Sequence, residues 1–106
     1  IKKYKMFFQI NWEIYADRKE ECHEIFSQMT PEDDLKDAGQ AVRVVGRWHV
    51  LGGNRGTCIC ETSDEEALNS WALNWKSMCD IEILPVVTDE SFRKTLNSKK
   101  ISETAE

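Results

Sequence analysis

No run of apolar residues in this 106-residue chain approaches the ~20 that a membrane-spanning helix needs. No charged-then-apolar leader precedes a small-residue cleavage site, so secretion is not expected. The chain opens on Ile1 rather than Met, which leaves room for residues upstream. Positive charge is in deficit: 14 Lys and Arg stand against 19 Asp and Glu, for a formal net charge of −5. That balance argues against a nucleic-acid binder working by phosphate neutralisation. A Ser/His/Asp set, a phosphate-binding loop and an HExxH zinc pattern are all missing, as are internal repeats.

What remains is ordinary globular composition, 41% apolar and 31% charged. The length suits one domain with its own core. We expect that domain over residues 1–96, and a frayed polar tail over 97–106.

The four cysteines would permit three disulfide pairings, but secretion is not expected, and their spacing does not match the usual C-x₂-C pairs of a metal site. Cys58 and Cys60 fall on one face of a strand, Cys22 on an apolar helix stripe, and Cys79 at the start of a late strand. They are expected to be reduced thiols buried as small hydrophobes in a cytoplasmic protein, with no metal and no cofactor.

Tyr4, Met6, Phe8, Ile10 and Trp12 alternate with Lys5, Phe7, Gln9 and Asn11, the pattern of a strand with one side in a core. Asp17, with Glu20 three residues on, predicts a helix start, and Cys22, Ile25, Phe26 and Met29 form its stripe. Thr30-Pro31 opens a short helical connector ending near Gly39. A second strand is expected over Ala41 to Val50 and a third over Thr57 to Glu61, joined by the glycine-rich turn between them. In the register expected here, Trp48 faces the core beside Cys58 and Cys60. Arg43, Val45, Arg47 and His49 then share the other face with Thr57, Ile59 and Glu61.

Ser63 and Glu66 predict a capping box for a helix whose buried stripe carries Ala67, Leu68, Trp71, Ala72, Trp75 and Met78. The last strand is expected from Asp80 to Val87, at a sheet edge because Pro85 cannot donate to a ladder. Thr88-Asp89-Glu90 caps a final short helix. The order β-α-β-β-α-β is the ferredoxin-like, α+β pattern: a four-stranded antiparallel sheet with two helices on one face.

The face without helices carries Phe7, Val45, Ile59 and Leu84, an apolar patch rimmed by charge. A homodimer packed through this open face is expected. RNA-recognition modules share the topology, but the third strand has none of their stacking aromatics. Gly46-Arg47-Trp48-His49 is the main chemical cluster. His49 suits general acid/base work, Arg47 suits an anion, and Glu61 suits orientation of the imidazole. The plainer reading is an interfacial salt-bridge network. Trp12, Trp48, Trp71 and Trp75 either line a ligand pocket or simply fill the core.

Tyr4 to Trp12, Gly46-Arg47-Trp48-His49, Gly56 to Glu61, Ala67 to Trp75 and Ile81 to Val87 together resemble the family called domain of unknown function 3303. These small bacterial proteins are similar to the dimeric α/β-barrel group. The acidic connector Thr30 to Gln40 and the polar tail depart from the pattern. The resemblance implies the fold and a homodimer, and it carries no established activity. Cofactor-free monooxygenases occur among wider relatives, a likeness at fold level only. The function expected is a homodimeric domain that binds a small molecule or a partner. The alternative is a small cofactor-independent enzyme, oxygenase- or isomerase-like, using His49 and Arg47 on an anionic or aromatic substrate.

Overall fold

The computed structural model describes residues 5–104. The expected strand start at Tyr4 and the last two residues of the tail lie outside them. The element order is β1 (Met6–Ile14), a 3-10 turn (Ala16–Arg18), α1 (Lys19–Gln28), α2 (Pro31–Ala38), β2 (Arg43–His49), β3 (Arg55–Thr62), α3 (Glu65–Trp75), β4 (Cys79–Val86) and α4 (Asp89–Thr104). The four strands form an antiparallel sheet in the order β2-β3-β1-β4, the arrangement expected of this α+β fold. Pro85 sits in the edge strand β4, where its missing N–H can point away from the ladder.

The alternation in β1 sets the two faces. Phe8 and Ile10 are buried and lie opposite Cys60 and Cys58, so both thiols enter the core. Phe7, Gln9 and Asn11 lie opposite Glu61, Ile59 and Thr57 on the face without helices. Two buried clusters result. One joins Phe8, Ile10, Ala38, Val42 and Cys58 to Leu68 and Trp71. The other joins Ile14, Cys22, Met78 and Cys79. Trp12, Trp75 and Ile81 pack against both.

The local signals are partly as expected. Thr30 and Asp33 form a reciprocal capping box, with Pro31 opening α2. Asp64 rather than Ser63 caps α3, accepting from the Ala67 N–H at 3.0 Å. Asp17 lies in the 3-10 turn instead of capping α1, which begins at Lys19 without a side-chain cap. The final helix runs to Thr104, well past the short segment expected, and its described side chains are all exposed. Two ion pairs at helical spacing, Asp89–Arg93 and Glu90–Lys94, support its first turns, with the acid on the N-terminal side in each. Among the described residues no helix is long and apolar enough to cross a membrane.

The main departure is a β-bulge in β2. Val44 pairs with Cys60 and Gly46 with Ile59, so β2 carries one extra residue at this point. Arg43 keeps its expected face, beside Glu61. Beyond the bulge every side chain changes sides: Arg47 pairs with Cys58 and His49 with Gly56, both toward the helices, while Trp48 pairs with Thr57 on the open face. The placement expected for Arg47, Trp48 and His49 is therefore reversed. Gly46 suits the bulge because a Cβ there would collide with the Trp48 ring.

Candidate functional site

A cavity of about 310 Å³ lies between the sheet and α1, α2 and α3. Its inner wall comes from β1, α3 and β4: Ile10, Trp12, Trp71, Trp75 and Ile81. Trp71 and Trp75 are one helical turn apart, so both indoles reach the same side of α3. Each donates its N–H to Oδ2 of Asp37, at 2.9 and 2.7 Å. Asn74 Nδ2 donates to Oδ1 of the same carboxylate at 3.1 Å. One acid from α2 thus fixes two of the three tryptophans around the cavity. Trp12, from β1, is half-buried and occupies the space over Gly56, where a Cβ would meet its ring.

The outer part of the cavity holds the polar groups. Arg47 bonds Asp34 Oδ1 through Nη2 at 3.1 Å, and its guanidinium lies 4.9 Å from the centre of the Phe26 ring. His49 stands against Phe26 and Trp12, with ring centroids 5.0 and 5.5 Å away. His23 Nε2 donates to the Gly53 carbonyl at 2.8 Å, which ties α1 to the β2–β3 turn. The positive φ of 76° at Gly53 suits a residue without a Cβ at this contact.

The His49 pKa falls below its ordinary value, first because burial disfavours the charged ring, then through Arg47 and His23. The imidazole at the cavity mouth is therefore neutral near pH 7, with one nitrogen able to donate and one able to accept. The four cysteines are free thiols. Burial pushes Cys58 and Cys60 up to about 11 and Cys79 up to about 12, and raises Cys22 as well. They are weak nucleophiles in this setting.

Of the residues singled out from the sequence, the structure brings together Trp12, Trp71, Trp75, Arg47 and His49. Glu61 is not among them. It faces the other side of the sheet and pairs with Arg43 at 3.0 Å, so it does not orient His49. Trp48 also leaves the group, lying 58% exposed on the open face. Phe7 and Ile59 stand half-buried on the open face, where Leu84 is 40% exposed, and Val45 is 48% exposed at the bulge. Sequence reasoning missed Asp37 and Phe26 as parts of the site. A signal for Asp37 existed: Trp71, Asn74 and Trp75 at positions i, i+3 and i+4 present three donors on one helix face and need a common acceptor.

Comparison with known proteins adds a family. The sequence model described as "Domain of unknown function (DUF3303)" matches residues 6–100. Among solved structures, a NIPSNAP family protein of unknown function from Agrobacterium tumefaciens is similar at 14% sequence identity and a TM-score of 0.46. The match covers 79% of this chain and 90% of that one. No curated protein matches the sequence.

Proposed function

We propose that this chain, which belongs to the DUF3303 family of domains of unknown function, binds a small apolar molecule in the tryptophan-lined cavity between its sheet and helices. The cavity itself carries this reading: apolar walls, about 310 Å³ of space and a few convergent polar groups at one end. Asp37 adds preorganisation. With Trp71 and Trp75 already held by hydrogen bonds, a ligand does not have to bear the entropy of ordering them. A thermal-shift series with 2-methoxynaphthalene tests the reading. Binding to the folded state raises the melting temperature in a concentration-dependent way. The Ala72→Phe variant, which fills the cavity from α3, loses that response while keeping its fold by circular dichroism. A flat response from the parent protein counts against a ligand site.

We further propose that the domain works as a homodimer through its open sheet face. Phe7, Ile59, Leu84 and Trp48 supply the apolar surface. The polar groups between them already satisfy one another. Gln9 donates to Thr57, Thr57 to Asn11 at 2.8 Å, and Asn11 to Glu82 at 3.0 Å, so covering this strip leaves few donors without partners. A cytoplasmic setting is part of the same proposal, since four buried free thiols suit a reducing compartment.

A further inference from the structure

We infer that the molecule held in this cavity is a neutral hydroxy-aromatic compound of about one or two rings, its hydroxyl placed between His49 and Arg47. The inference rests on the cavity being a ligand site, as proposed above, and specifies what enters it.

Three observations lead to that class. The walls are aromatic, with Trp12, Trp71 and Trp75 around a volume at the small end of the range for ligand cavities. Flat rings gain edge-to-face contacts there beyond their buried area.

Charge is the second observation. Arg47 is already paired with Asp34 at 3.1 Å, and the Asp37 carboxylate is held only by neutral donors. Asp34 thus offsets Arg47 and leaves no surplus positive charge for an organic anion, while both oxygens of Asp37 are already taken up by Trp71, Trp75 and Asn74. A cation would have to sit beside the Arg47 guanidinium. A neutral ligand meets neither penalty.

The third observation is the His49 imidazole. It has ring neighbours in Phe26 and Trp12 but no hydrogen-bonded partner among the described residues. Exposed at the cavity mouth and partly desolvated against these rings, with Arg47 and His23 also lowering its pKa, it offers an acceptor for a phenolic proton. The bond to Asp34 uses a single N–H of Arg47, which leaves others to donate to the phenolic oxygen. One hydroxyl on an aromatic ring, a donor and acceptor at once, answers both groups.

Calorimetric titration at pH 7.5 with 2-naphthol, 2-methoxynaphthalene and 2-naphthoate tests this. The three share a ring system and differ in whether the oxygen can donate and whether it is charged. We expect 2-naphthol to bind about tenfold tighter than the methyl ether, and the carboxylate to bind no better than the ether. In His49→Phe the preference for naphthol over the ether, taken as the ratio of the two affinities in the same variant, falls to within about twofold. His49→Gln, which keeps a donor and an acceptor, retains most of the preference. Equal binding of naphthol and ether, tightest binding by naphthoate, or an unchanged preference in His49→Phe overturns the inference and leaves the cavity proposal standing. Failure of all three probes to bind overturns both.

Discussion

Trp12 and Gly56 are direct partners across the two central strands, and the indole takes the space a side chain at Gly56 would need. A Cβ there would also press on the Trp48 carbonyl of β2, which is backbone and has little room to yield. Gly56→Ala should therefore destabilise the domain by about 1–3 kcal/mol, read as a lower urea midpoint with an unchanged slope. Because Trp12 lines the cavity, the same variant should also weaken ligand binding.

Asp37 is the acceptor for both cavity indoles on α3. Asp37→Ala leaves two half-buried N–H groups without their partner and unties α2 from α3. A loss of about 1–3 kcal/mol is expected in chemical denaturation. Tryptophan emission should shift to longer wavelength as the indoles turn toward water. An unshifted spectrum would show that packing alone positions the rings.

His49 gives the domain a pH dependence whose sign follows from its environment. Arg47 on its own strand and His23 on α1 face it, with Asp34 bound to Arg47, and its pKa lies below the ordinary 6.5. As pH falls through about 6.5, the unfolded chain takes up the proton before the folded one does, so stability declines on the acidic side of that value. Denaturation midpoints at pH 7.5 and 5.5 should differ in that direction, and the difference should shrink in His49→Phe. Asp33 titrates lower still, because its hydrogen bonds with Thr30 hold its carboxyl below the usual 3.8. It contributes stability that is lost only in more acidic solution.

Ile59 lies opposite Gln9 and Gly46, away from both edges of the strands. If the open face joins two copies, Ile59→Lys places a charge in the joint of each. Light scattering should give about twice 12.3 kDa for the parent protein and the monomer mass for the variant, with circular dichroism unchanged. A parent protein that stays monomeric at about 100 μM would remove the dimer from the proposal.

Much of this architecture is written in local sequence. The alternation around Phe8 and Ile10 fixes the faces of β1, and the Thr30-Pro31 step marks the start of α2, as found. Cys58 and Cys60 enter the core as their two-residue spacing and apolar setting imply. The orientation of Arg47, Trp48 and His49 was not legible, because it depends on one extra residue in β2. A bulge leaves composition and alternation intact on either side and changes only their phase. The expected group of His49 with Glu61 failed for that reason, while the tryptophans of β1 and α3, anchored by their own periodicity, arrived where expected. Asp37 is inconspicuous in the sequence because acids in a short helix are also explained by solvation. Its role depends on a neighbour 34 residues away.

The projecting helix α4 alters how the molecule moves through a medium. With all its described side chains in water, it stretches the longest axis to 59 Å and raises the radius of gyration to 17.3 Å, against about 13 Å for a rounded domain of this size. Such a body experiences more friction than its mass alone would give. A gel-filtration column will elute the single chain early, at a volume suited to a heavier sphere, so stoichiometry has to be read from absolute mass.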